Sequence, residues 1–183
     1  MSHAFQNAAA FLIGTLFSLY ILALMLRTLL ALSRADFYNP ISQFLVTITT
    51  PPLRILRRVI PPIGPVDSAA LVLILVLKML ELVIIAALYG AVIPPFTLLI
   101  AGILAIVRLV IWIYIISIII QAVMSWFQAG GTSQNPVAGL VYSLNRPLLN
   151  PIRKVMPQTG MVDLSPLVAI LGLNVLLIFI NAL

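Results

Sequence analysis

The chain contains four long apolar runs, over residues 8–33, 68–93, a stretch ending at Trp126, and 165–183. About 20 apolar residues in helical form cross a hydrocarbon core of roughly 30 Å. A helix is also one of only two structures that satisfy their own backbone hydrogen bonds inside lipid. The runs therefore predict an all-α, polytopic membrane protein with about four transmembrane helices. Composition agrees, since 63% of the 183 residues are hydrophobic and 8% are charged, whereas soluble domains are roughly a quarter charged. The spans leave only connecting segments, so residues 1–183 are expected to form a single membrane domain.

Two of the runs carry further constraints. No basic segment precedes the first, and residues 8–32 are longer than the apolar core of a cleaved signal, so it is expected to remain as an uncleaved span. The third, taken as one helix over residues 96–126, would be roughly 46 Å long at about 1.5 Å per residue. That exceeds the hydrocarbon core, so the span is placed over about residues 105–126, and the rest must tilt, bend or lie outside. Pro94-Pro95 marks the turn between the second and third spans, because prolines begin helices but do not continue them.

The chain also resembles itself. Residues 39–71, "NPISQFLVTITTPPLRILRRVIPPIGPVDSAAL", lie without a gap over residues 135–167, "NPVAGLVYSLNRPLLNPIRKVMPQTGMVDLSPL". Asn39 falls on Asn135, Pro40 on Pro136, Pro51 on Pro147, Arg57 on Arg153, Gly64 on Gly160 and Asp67 on Asp163. So many turn-formers and charges in register imply a tandem duplication. Repeat 1 covers about residues 8–93, with spans 8–33 and 68–93 around an interfacial segment at 36–66. Repeat 2 covers about 96–183, with spans 105–126 and 165–183 around 130–163. Two spans per unit give both copies the same orientation, the parallel kind of repeat.

Each interfacial segment reads as short amphipathic helices. Asn39 and Asn135 are N-caps followed by a proline at the first helical position, then Ile41, Phe44, Leu45 and Ile48, or Val137, Leu140, Val141 and Leu144, at helical spacing. A second short helix is expected from Pro51, with Arg54, Arg57 and Arg58 opposite Leu53, Leu56, Val59 and Ile60. In the second copy Arg146, Arg153 and Lys154 oppose Leu148, Leu149, Ile152, Val155 and Met156, with Pro151 expected to break the helix or restart it behind Asn150. Gly64 and Gly160 make turns, and Asp67 and Asp163 cap the following spans, where a carboxylate suits the positive end of the helix dipole.

Charge sets the expected topology. Arg34, Arg54, Arg57, Arg58, Arg146, Arg153 and Lys154 all lie between paired spans, whereas the Pro94-Pro95 connection and both terminal segments lack lysine and arginine. The positive-inside rule then puts both interfacial segments in the cytoplasm and both termini in the periplasm. The net charge of +6 and pI near 10.3 are read as topology signals and contacts to anionic lipid or a protein partner, made by Arg54, Arg57, Arg58, Arg146, Arg153 and Lys154, and not as a nucleic-acid surface.

Lys78, Glu81, Arg108 and Gln121 are the candidate functional polar residues within the spans. Ionisable groups at membrane depth are expensive, so Lys78 and Glu81, one turn apart, are either an ion or proton path or a pair that neutralises itself against the bundle interior. Arg108 is either buried in the third span or at its outer end. Arg27 lies within snorkelling reach of the cytoplasmic interface. Gln121, Ser117 and Asn174 are expected to hydrogen-bond between helices.

Chemistry is otherwise thin. The chain has no cysteine and a single histidine, His3, so no disulfide, thiolate, metal or haem site is expected, and no cofactor. Paired Asp67 and Asp163 invite a two-carboxylate mechanism, but each follows a glycine turn at a helix start, which is the setting of a cap. No phosphate-binding loop, nucleophile elbow or zinc-helix motif is present. An enzyme is not expected.

The stretches "DFYNPISQF" and "PPLRILRRVIPPIGPVDSA", with second-copy "SWFQ" and "NRPLLNPIRKVMPQTGMVDLSP", resemble the YggT family of bacterial inner-membrane proteins over nearly the whole chain. The family pattern of an arginine five residues before a tryptophan is split here: Arg27 has Leu32 in the tryptophan position, and Trp126 has Gln121 in the arginine position. Ala69-Ala70 also stands where the second copy has Ser165-Pro166, so the copies have diverged. The resemblance implies a small polytopic protein of the inner membrane. It further implies links to hyperosmotic tolerance and potassium homeostasis, to division and envelope organisation, and, in chloroplast relatives, to assembly of a membrane cytochrome complex. The resulting expectation is a non-enzymatic scaffold or assembly factor, with other membrane proteins or a second copy as partners. The alternative is a component of a potassium-like ion channel or transporter.

Overall fold

The computed structural model describes residues 3–128, 135–155 and 163–182, and the side chains of 126–128 are left aside. The turn expected at Gly160 and the apolar contact expected of Met156 lie outside the described residues. Six helices follow one another: α1 (His3–Leu32), α2 (Pro40–Leu56), α3 (Ser68–Leu88), α4 (Pro95–Gln128), α5 (Pro136–Val155) and α6 (Ser165–Asn181). Among the described residues there is no β-strand beyond an isolated bridge between Ile63 and Val66.

α1, α3 and α4 are each long and apolar enough to cross a membrane, and the chain is a membrane protein. α6 is equally apolar but has 17 residues, about 26 Å of helix. α4 begins at Pro95, the first-turn position that proline favours, and runs unbroken for 34 residues, roughly 51 Å. The excess length anticipated for the third apolar run is therefore accommodated without a break. Arg108 falls inside this helix, about 20 Å from its start.

The interfacial segments depart from expectation. Each is one helix and not two, since α2 runs through Pro51 and Pro52, and α5 runs through Pro147 and Pro151 with Asn150 in its interior. A proline in a helix removes the bond to the carbonyl four residues earlier, at a cost of about 3 kcal/mol in isolation. Tyr20 of α1 donates its hydroxyl to the carbonyl of Ile48, the group Pro52 leaves unbonded, at 3.3 Å. Tertiary contact thus carries the helix past a sequence signal that would otherwise end it.

The chain divides into two compact units. The first holds Met1–Thr28 and Thr47–Leu109. Within it α3 runs antiparallel to α1, with Gln6 donating to the carbonyl of Leu88 at 3.0 Å and Tyr89 donating to Asn7 at 2.9 Å. Gly14 of α1 lies beside Ile85 and Glu81, and Gly102 of α4 beside Leu75 and Met79. α3 ends on Gly90 at φ 70, with the amide of Ala91 reaching back to the carbonyl of Ala86 and that of Gly90 to Ala87, the paired bonds of a left-handed helix cap.

The second unit holds Leu29–Val46 and Val110–Leu183. Its core joins Ile118 of α4, Leu149 of α5 and Ala169 of α6, flanked by Leu148, Ile152, Ile170 and Leu173. α1 ends here on Arg34 at φ 53, whose neighbour Ala35 bonds back to Leu30. Asn39, buried, accepts from the amide of Ile41 and donates to the carbonyl of Pro136 at 2.7 Å, so the starts of α2 and α5 are joined.

Candidate functional site

Each amphipathic helix is fastened at two points, and the fastenings correspond between the two copies. On its inward side α2 presents Ser42, Leu45, Thr49 and Leu53, all buried and at helical spacing. This face is rotated from the apolar face expected from sequence, because Phe44 is exposed. Arg27 of α1 donates to the hydroxyl of Thr49 at 2.7 Å and to that of Thr50 at 3.2 Å. Arg27 therefore reaches α2, where the buried hydroxyl of Thr49 and that of Thr50 give its guanidinium hydrogen bonds that offset desolvation.

In the second copy Asn145 of α5 stands where the repeat places Thr49, and it is fully buried. Its carbonyl oxygen accepts from Ser117 at 2.6 Å, and its amide donates to Gln121 at 2.8 Å. Gln121 and Ser117 do bond between helices. Asn174 does not: it donates to Ile170 of its own helix, α6, at 2.8 Å. Asn145 was not singled out from sequence, although an amide within the apolar pattern Leu140, Val141, Leu144 was a signal for a buried polar contact.

The second fastening lies at the far end of each helix. Arg57 pairs with Asp67, which also accepts from the amide of Ala70 as N-cap of α3. Arg153 pairs with Asp163 at 2.8 Å. Asp163 is not itself the cap residue of α6. Leu164 holds that position, because the helix starts at Ser165, and the Asp163 carboxylate accepts from the Ser165 amide at 2.9 Å. Burial pushes the Asp163 carboxyl up, but hydrogen bonds from Ser165 and the guanidinium of Arg153 outweigh it and hold the group below its ordinary value of 3.8. Between Arg57 and Asp67 the chain reverses at Gly64, φ 60, with Ile63 and Val66 exchanging both backbone bonds, a two-residue turn suited to glycine followed by proline. Asn135, like Asn39, accepts from the amide two residues on, here Val137 at 2.9 Å.

The six basic residues assigned to surface contacts thus fall into two groups. Arg57 and Arg153 are committed to carboxylates. Arg54, Arg58, Arg146 and Lys154 are exposed and make no ion pair among the described residues.

Of the span residues, Gln121 joins this region through Asn145, whereas Lys78 and Glu81 pair with each other. Lys78 donates to both Glu81 oxygens at 2.9 Å midway along α3, with the Glu81 side chain 6% exposed. The pair is therefore formed within one helix, with Gly14 of α1 against the carboxylate. Arg108 is half-buried on α4.

No solved structure matches the chain. The sequence profile of the CCB3/YggT family matches it in two stretches, residues 6–88 and 100–183. An uncharacterized protein of Pseudomonas aeruginosa is 42% identical over 93% of this chain and 87% of its own length. Another, from Vibrio alginolyticus, is 39% identical over 92% and 91%. The YggT protein of Escherichia coli K12, itself described as uncharacterized, is 35% identical over 93% and 88%. With the profile matching most of its length and relatives aligned almost end to end, the chain belongs to the CCB3/YggT family.

Proposed function

We propose that the protein is a non-enzymatic, four-span factor of the bacterial inner membrane, built as a tandem parallel repeat. In this reading its basic interfacial helices face the cytoplasm and scaffold or help assemble a larger membrane complex, in a role linked to osmotic-stress tolerance. α6 is the fourth span, its 17 residues accommodated by local thinning of the bilayer. Both termini face the periplasm, since the basic residues lie between paired spans.

The observation that carries this reading is the double fastening of each basic helix. A helix that merely floats on lipid needs no buried hydrogen bonds to a neighbouring span. Thr49 and Asn145 are both 0% exposed and bonded to α1 and α4. Such anchoring holds the exposed face of α5, with Tyr142, Arg146, Asn150 and Lys154, in a fixed geometry, which lowers the ordering cost of binding a partner. Cross-linking in native membranes followed by purification tests it. Replacing Arg146 and Lys154 with glutamine should reduce recovered partner proteins about tenfold at unchanged membrane insertion; an unchanged set of partners counts against the platform.

A second reading, an ion channel or transporter component, draws on the Lys78–Glu81 pair at mid-helix in α3. Potassium flux in proteoliposomes that disappears in the Lys78→Leu/Glu81→Leu protein would favour it. Flux indifferent to that change would remove the site.

A further inference from the structure

We infer that the C-terminal half of α2 and the turn that follows it hold an anionic glycerophospholipid, with its phosphate on Arg54 and Arg58 and an acyl chain against Ile55 and Val59. At about 100° per residue this half of α2 has three sectors and not two. Thr49 and Leu53 point inward and are buried. Thr47 and Arg54 form a polar exposed sector. Ile48 and Ile55 form an apolar one in which Ile55 is 69% exposed, and the turn that follows adds Val59 at 81%. A helix between protein and water needs two sectors; a third that is apolar and open fits the acyl region of a bilayer, with arginines at headgroup height.

Charge identifies the occupant. Of the three arginines here, Arg57 is neutralised by Asp67. Arg54 and Arg58, four residues apart, are exposed and without ion pairs among the described residues. Two guanidinium forks beside open aliphatic side chains match a phosphate that carries hydrocarbon, and Arg favours planar bidentate contact with phosphate oxygens. α1, the helix to which α2 is tied through Arg27 and Tyr20, has the length of a span, which sets α2 at the level where such headgroups lie. The inference rests on that interfacial placement but not on a scaffolding role.

The test uses the purified full chain in detergent, with native mass spectrometry to read bound dioctanoyl phosphatidylglycerol, dioctanoyl phosphatidylcholine and glycerol phosphate. Phosphatidylglycerol should bind at least tenfold more tightly than either of the others. Arg54→Gln or Arg58→Gln should weaken it about fivefold, and the double change about twentyfold, as expected for basic residues at an anionic surface. Arg54→Lys/Arg58→Lys should keep most of the binding, and Ile55→Ser should lose it with the charges intact. Arg57→Gln should lower thermal stability more than it lowers lipid affinity. Equal binding of phosphatidylcholine, equal binding of glycerol phosphate, or a double variant that binds as the parent does would each overturn the inference. A comparable loss from Arg146→Gln/Lys154→Gln would overturn it too, by reducing it to net charge. Because no partner protein is present, the outcome is independent of the scaffolding proposal.

Discussion

At the residue scale, the sharpest expectation attaches to a buried amide. Asn145 is 0% exposed and bonded to both Ser117 and Gln121, so its replacement takes the amide donor from Gln121, while Ser117 keeps the carbonyl of Tyr114 at 2.9 Å. Unsatisfied buried groups cost about 1–3 kcal/mol each. Asn145→Leu should therefore destabilise the protein by roughly 1–3 kcal/mol and Ser117→Ala by about 1, as read from denaturation in detergent. A second residue-level expectation concerns acid. The lowered pKa of Asp163 means that the unfolded chain binds the proton more tightly than the folded one. The contribution is therefore present above the ordinary carboxylate value of 3.8 and is lost as pH falls through the lower folded value. Thermal melts should show Asp163→Asn reducing stability at pH 6 and making little difference near pH 2.

At the element scale, a helix was legible wherever its determinants are local. Asn39 and Asn135 precede a proline, and Asp67 follows a glycine turn; their cap bonds follow from those neighbours alone. The break expected at Pro51 did not occur, and the carbonyl that Pro52 frees, that of Ile48, finds its donor in Tyr20, distant in sequence. Likewise the inward face of α2 was misjudged from apolar spacing, since Phe44 and Val59 are exposed: beside a bilayer an apolar side chain need not pack on protein, so hydrophobicity no longer marks the protein-facing side. Within α3 the Lys78–Glu81 pair illustrates the same setting. Removing one partner of a buried pair costs about 3–5 kcal/mol, whereas replacing both by apolar residues is often neutral. Lys78→Leu should accordingly melt well below the parent protein, and Lys78→Leu/Glu81→Leu close to it.

For the whole molecule, the gapless alignment of residues 39–71 on 135–167 puts several contacts at matching positions. Arg57–Asp67 and Arg153–Asp163 recur at equivalent places, as do the tethers at Thr49 and Asn145. The compact units were not legible, because Leu29–Val46 of the first copy joins the second unit, a consequence of long-range bonds such as Asn39 to Pro136. A cytoplasmic platform requires that both basic helices lie on one side of the membrane and the α3–α4 connection on the other. The chain contains no cysteine, so single substitutions Arg58→Cys, Lys154→Cys and Val92→Cys can each be labelled with a membrane-impermeant maleimide in spheroplasts. Val92→Cys should react in intact spheroplasts, and Arg58→Cys and Lys154→Cys only after the membrane is opened; labelling of Arg58→Cys and Lys154→Cys from opposite sides would contradict the parallel repeat and the platform built on it.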